Sequence, residues 1–111
     1  MNGAAVSLAS LTLASAASLA IAAPAATDVD YLKASRCRGI AVGLGADASG
    51  IASYLKHAAG GRSPAVLARA DEEFDRAKRE ARGDARERLR VELSGPCAAY
   101  AAAASVGDVS G

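Results

Sequence analysis

Downstream of residue 27 the apolar positions recur at spacings of three and four, and no segment shows the sustained alternation of a β-strand. Thr27 or Asp28 can cap a first helix, which Gly45 ends. Gly39 and Gly43 lie four residues apart on it, and they would let a neighbouring helix approach closely. The pattern predicts an all-α protein, in which the apolar side of the first helix is formed by Tyr31, Ala34, Cys37, Ala41 and Leu44.

Start and stop signals mark two further helices. Asp47 or Ser49 can cap a short helix that the glycines at 60–61 end. Ser63-Pro64 combines a cap residue with a proline at the first helical position, and it opens a third helix. The apolar sides of these two helices are formed by Ile51, Tyr54, Leu55 and Ala58, and by Leu67, Ala70, Phe74, Ala77 and Ala81.

The apolar phase of the third helix continues in Ala85, Leu89 and Leu93. Gly83 and Asp84 form a stop signal inside this run, which would split residues 64–93 into two helices, whereas the unbroken apolar phase favours one long helix through Gly83. Residues 94–96 then break the helix, and an alanine-rich final helix over 97–105 precedes a frayed tail at 106–111. We expect the long helix to run antiparallel to the first two, so that its far end returns to the first helix.

The first 27 residues carry no charged side chain, and serine and threonine dilute their apolar run. This is typical of a secretory signal peptide, with cleavage after Ala22 or, alternatively, after Ala26. We therefore expect a signal peptide at 1–22 and a single small helical domain at 23–111. An uncleaved transmembrane helix is the alternative, because the run is long enough to span a bilayer. The run also lacks the basic start of a standard signal, since Lys33 is the first basic residue.

Two cysteines, Cys37 and Cys97, lie 60 positions apart, in a chain with no other cysteine and a single histidine. A redox motif needs two cysteines close in sequence, and a zinc site needs further ligands. We therefore expect an intramolecular disulfide, which fits an exported protein. Much of the 51% hydrophobic content is alanine, so the core is thin. A covalent link over this separation is worth about 4 kcal/mol, and the sequence predicts a bundle of about four helices closed by it.

Residues 69–92 hold eight basic and eight acidic side chains, so the segment has no net charge. This balance and the low aromatic content argue against binding to nucleic acid. Acidic residues four positions before a base are expected to form helix-stabilising pairs, namely Glu72–Arg76, Asp75–Arg79 and Asp84–Arg88. A stripe of guanidinium groups at spacings of three and four forms a candidate partner-binding face, made of Arg79, Arg82, Arg86 and Arg90. An adjacent acidic stripe would cancel part of its field through Glu73, Glu80, Asp84 and Glu87.

No spacing in the chain indicates a catalytic group, a cofactor site or a metal site. His57 is the only histidine, and no nucleophile or second acid is placed to work with it. We therefore expect a non-enzymatic protein without a cofactor, periplasmic or secreted, that binds an envelope protein. Small exported inhibitors, immunity proteins and stress-protection proteins act in this way. Nucleic acid is not an expected partner, and the membrane is one only through the leader if it stays uncleaved.

The alternative is a thiol/disulfide-active protein or another small envelope enzyme. Arg36 and Arg38 flank Cys37, and neighbouring cations favour a thiolate if the disulfide opens. A membrane-anchored envelope protein with an uncleaved leader is a further alternative. Arginine outnumbers lysine by ten to three, which is typical of a GC-rich bacterial genome and therefore favours a periplasm.

Overall fold

The computed structural model describes residues 26–102 of the chain. This part forms five helices and no strand, which confirms the predicted all-α class. Four of them are α1 (Asp28–Leu44), α2 (Ser49–Ala58), α3 (Pro64–Ala81) and α4 (Arg86–Ser94). The fifth, α5, begins at residue 98 and is described to residue 102. The predicted signal peptide and the predicted frayed tail lie outside the described residues.

Local sequence signals set both ends of α1 and the start of α3. Thr27 Oγ1 accepts a hydrogen bond from the Asp30 amide (3.1 Å), and Asp30 Oδ2 accepts one from the Thr27 amide (3.2 Å). Gly45 closes α1 with φ at 75°, a left-handed conformation that glycine adopts without steric cost. Ser63 Oγ accepts a hydrogen bond from the Val66 amide at the start of α3 (3.2 Å). These boundaries agree with the predicted ones.

The second helix returns beside the first. Neither predicted cap residue occupies its N-cap position, although Asp47 Oδ1 accepts a hydrogen bond from the Ser49 amide (2.9 Å). Arg62 follows α2 and donates hydrogen bonds to Asp28 Oδ1 (2.7 Å) and to the carbonyl oxygen of Ala26, both at the start of α1. Because the end of α2 meets the start of α1, the two helices are antiparallel.

The main helix interface of the described chain lies between α1 and α3. A Cβ atom on Gly39 would lie 2.3 Å from the Phe74 carbonyl oxygen, and one on Gly43 would lie 2.6 Å from the Lys78 carbonyl oxygen. The two glycines therefore allow the close approach that their spacing predicts. Four steps along α1 correspond to four steps along α3, so these helices run parallel. The predicted antiparallel direction of the third helix relative to the first is wrong.

The favoured prediction of one long helix through Gly83 is also wrong, and the alternative of two helices split near Gly83 and Asp84 is observed. α3 ends at Ala81, and a turn at 82–85 separates it from α4. The first two amides of the turn bond to carbonyl oxygens three residues back, at 3.2 and 3.1 Å, as in a tightened last helical turn. A straight continuation would carry Leu93 about 18 Å beyond the end of α3, at about 1.5 Å per residue. The turn instead sends α4 back along α1, which returns the second cysteine to Cys37.

The core is small and lies where the other helices meet α1. The ring of Tyr100 on α5 lies 5.1 Å from that of Tyr54 on α2, and Ala101 lies against Gly50. α5 is therefore held on α2 by these contacts and on α1 by the cysteine pair. The side chains with no exposed surface are small or aliphatic, and they are Ala34, Ile40, Ala41, Ala77, Ala81 and Leu89.

Candidate functional site

The candidate arginines lie around the turn between α3 and α4. Arg79 is in the last turn of α3, and Arg82 occupies its C-cap position. Arg86 begins α4, and Arg90 lies one turn further along it. All of these side chains are exposed. Because the turn interrupts the helix, they follow a bend between two helices and do not form the predicted stripe on one helix. We call Arg79, Arg82 and Arg86 the arginine corner.

Two of the four acidic neighbours predicted to balance these arginines pair elsewhere, and a third pairs with Arg90. Glu80 is bound by Arg36 on α1, and Glu73 pairs with Arg69 and Arg76 within α3. In α4 the carboxylate of Glu87 lies 3.1 Å from the Nε atom of Arg90.

The predicted pairs Glu72–Arg76, Asp75–Arg79 and Asp84–Arg88 do not form within the described residues.

The arginine corner is consequently left without an ion pair to any residue between 26 and 102. Asp84 lies in the same turn and forms no ion pair in that range either, so it offsets part of the local positive charge only through solvent. Three exposed guanidinium groups thus remain available for the two-pronged hydrogen bonds that arginine makes with carboxylates.

Arg36 links three helices on the inner side of this corner. Its Nε and Nη2 atoms donate to the two oxygens of Glu92 on α4 (2.8 and 3.0 Å), and its Nη1 atom donates to Glu80 on α3 (3.4 Å). The Arg36 hydrogen bonds lower the pKa of Glu92, and Glu92 raises the pKa of Arg36. This clamp holds α4 against α1 and removes Glu80 from the arginine corner.

The predicted cysteine pair lies beside this clamp. The Sγ atoms of Cys37 and Cys97 are 2.05 Å apart, and the side chains are 4% and 1% exposed. The flanking arginines diverge, since Arg36 turns to Glu92 while Arg38 lies over the ring of Phe74. Burial of both sulfurs hinders attack by an external thiolate, which favours a structural disulfide over an exchanging one.

An open cleft of about 350 Å³ adjoins the disulfide. Its charged wall is the bonded pair of Arg36 and Glu92, so these groups are already occupied by each other. Burial is the main cause of the raised pKa of Tyr100, and the nearby Asp30 adds to it. The amine of Lys33 is the exposed charged group on this cleft that neither Arg36 nor Glu92 binds. The lining residues of the cleft are Lys33, Arg36, Cys37, Glu92, Pro96 and Tyr100.

Sequence reasoning missed a second cationic surface, centred on the half-buried ring of Phe74. The guanidinium carbon of Arg38 lies 4.3 Å from the ring centroid, and Nζ of Lys78 lies 5.3 Å from it. The spacing of four between Phe74 and Lys78 was visible in the sequence. The contribution of Arg38 was not, because it depends on the parallel packing of α1 on α3.

Other features of the described chain carry little chemistry. His57 is exposed, and its Nδ1 atom lies 2.9 Å from the carbonyl oxygen of Ser53 in the preceding turn. No group of three or more metal-ligating side chains converges within residues 26–102. In the same range, no helix has both the length and the apolar character needed to cross a bilayer. No family model, curated protein or solved structure matches the chain.

Proposed function

We propose that this protein is an exported, non-enzymatic binding protein whose arginine corner docks on an acidic surface of another protein. The observation that carries the proposal is that Arg79, Arg82 and Arg86 form no ion pair within residues 26–102, while Glu73 and Glu80 pair with other arginines. Exposed guanidinium groups bind carboxylates in a fixed geometry, and opposite charge speeds encounter with an acidic partner.

The cysteine pair supports the exported part of the proposal. A buried disulfide that joins distant parts of a small domain is typical of oxidising compartments. Together with the uncharged leader it favours a periplasmic or secreted location. Activity as an inhibitor, an immunity protein or a stress-protection protein would fit a domain of this size.

Binding also accounts for the described side chains better than catalysis does. The carboxylate of Glu92 and the guanidinium of Arg36, which lie beside the disulfide, neutralise each other, and both sulfurs are buried. A catalytic acid or base needs access to a substrate proton. In contrast, the corner arginines are exposed, so a partner can reach them without any rearrangement of the helices.

Charge reversal at the corner tests this function. Capture of proteins from envelope extract under oxidising conditions is compared for the wild type, the Arg82→Glu/Arg86→Glu variant and a control, Lys33→Glu/Lys56→Glu. The control changes net charge equally, and it alters exposed lysines outside the corner that form no ion pair within residues 26–102. A captured protein, identified and purified, should bind the corner variant at least about tenfold more weakly than the wild type and the control.

Helical content and melting temperature of the corner variant should stay close to those of the wild type, because these side chains are exposed and unpaired. Equal affinity of the corner variant and the wild type would overturn the proposal. Equal losses in both variants would also overturn it, since net charge alone would then explain the binding.

A further inference from the structure

The α1–α3 pair has two sides with different surroundings. On one side Arg36 reaches Glu80 and Glu92, where α4 packs. On the other side Arg38 reaches the ring of Phe74. Because residues four apart share a helix face, Val42 continues the Arg38 side of α1, and Lys78 continues the Phe74 side of α3. We call Arg38, Val42, Leu67, Phe74 and Lys78 the Phe74 groove.

Two partly exposed aliphatic side chains belong to this groove. Val42 is 38% exposed and Leu67 is 37% exposed, although the sequence placed Leu67 on the inner side of α3. The ring of Phe74 between them is only half buried. Of the four exposed large hydrophobic residues in the described chain, Val29 and Val42 lie on α1, Leu67 lies on α3 and Val91 lies on α4. The groove therefore offers an apolar floor that a partner side chain can cover.

Two uncompensated cations border this floor. Arg38 and Lys78 both lie over the Phe74 ring, and neither forms an ion pair with a residue in the described range. Their distances to the centroid place the two charges at most about 10 Å apart, close to the screening length of physiological salt. A carboxylate placed between them would relieve their repulsion and gain two charge-assisted contacts.

The charges around the groove also give it a polarity. Asp71 and Asp75 lie one turn apart on α3 and precede Lys78 along the helix, and Arg82 lies one turn beyond Lys78. The acidic residues would repel an anionic membrane surface laid flat on α3. A protein segment avoids that repulsion, because it can place carboxylates at the Lys78 end and a neutral residue beside the aspartates.

We propose that the Phe74 groove binds an acidic protein segment in which an aliphatic or aromatic side chain is flanked by carboxylates. The apolar side chain packs on the ring of Phe74, and a carboxylate is held between Arg38 and Lys78. This assignment rests on the proposed function, and it adds a contact surface with an apolar anchor to the arginine corner. Since Arg82 follows Lys78 by one turn, a single partner can extend from one surface to the other.

The first probe is a short helix-forming synthetic peptide with two leucines one turn apart, each flanked by glutamate. Matched peptides replace the glutamates by glutamine or the leucines by alanine. In amide NMR spectra of the full protein, the parent peptide should shift signals at 38–42 and 74–78 saturably, and both matched peptides should bind about tenfold more weakly. Absence of saturable shifts at these residues up to about 1 mM peptide would overturn the proposal. Shifts produced by anionic lipid vesicles alone would overturn it as well.

The second measurement separates the groove from the corner. Arg38→Gln/Lys78→Gln keeps much of each side chain but removes both charges, and Lys33→Gln/Lys56→Gln is the matched control. The groove variant should bind the peptide about tenfold more weakly and keep its helical content. It should also bind the captured partner more weakly than the wild type does. Partner binding that is lost in Arg82→Glu/Arg86→Glu but unaffected in the groove variant would leave the proposed function standing and refute the groove. Partner binding that is lost in the groove variant but unaffected in Arg82→Glu/Arg86→Glu would refute the arginine corner and leave the groove standing.

Discussion

Substitution of Gly39 by alanine tests the packing that orients the whole bundle. The added Cβ atom would lie 2.3 Å from the Phe74 carbonyl oxygen and 3.0 Å from the Ala77 Cβ atom. Ordinary contacts of a Cβ atom begin near 3.4 Å, so α1 and α3 would have to separate by about 1 Å. The obstacle is backbone of a neighbouring helix, which cannot move aside as a flexible side chain can.

Two opposing contributions set the size of the effect. Alanine favours the helix over glycine by about 1 kcal/mol. Overpacking of a tight interior costs about 1–3 kcal/mol and occasionally more, and a clash with backbone belongs at the upper end. We therefore expect a net loss of about 2 kcal/mol in the free energy of unfolding. For a domain of this size, that corresponds to a melting temperature lower by about 8–16 °C.

Thermal and urea unfolding of the oxidised protein, followed by circular dichroism, would measure this loss. Gly60→Ala is the matched control, since its Cβ atom would meet nothing within 4 Å and its φ is not positive. The control should be neutral or slightly more stable. A Gly39→Ala protein at least as stable as the wild type would refute the close parallel packing of α1 and α3.

Two further predictions concern stability. Cys97→Ser should lower the free energy of unfolding by about 3–4 kcal/mol, because the disulfide closes a long loop, and an unchanged melting curve would contradict a structural role for it. Glu92→Gln should destabilise the protein at neutral pH by breaking the Arg36 clamp. Since Arg36 lowers the pKa of Glu92 from its ordinary value of about 4.5, this stabilisation is present above pH 4.5 and is lost as the pH falls through the folded pKa. The difference between variant and wild type should therefore shrink in acid, and a constant difference from neutral pH to pH 3 would contradict this coupling.

Helix boundaries could be predicted because they depend on residues close in sequence. Thr27, Gly45 and Ser63 act through backbone groups within their own turns. The stop signal at Gly83 and Asp84 did not decide for a break because α3 and α4 both pack against α1, so Leu89 stays in apolar phase across the turn. Hydrophobic periodicity reports which side of a helix is buried, and it carries no information about chain reversal.

The charge network was missed for a related reason. Pairs at a spacing of four were predicted along one helix, whereas Arg36 binds carboxylates on two other helices. These contacts depend on the directions of α3 and α4, which the spacing of residues does not encode. The arginine corner lacks Glu80 as a partner because Glu80 pairs with Arg36, a contact between two helices that residue spacing does not encode.

Hydrogen exchange on the complex with the purified acidic partner tests the central claim most directly. If the arginine corner is the docking surface, amides over 79–90 should exchange more slowly in the complex than in the free protein. Exchange in α2 (Ser49–Ala58) should be unchanged, because that helix carries none of the corner arginines. Protection of α2 with no change over 79–90 would contradict the account.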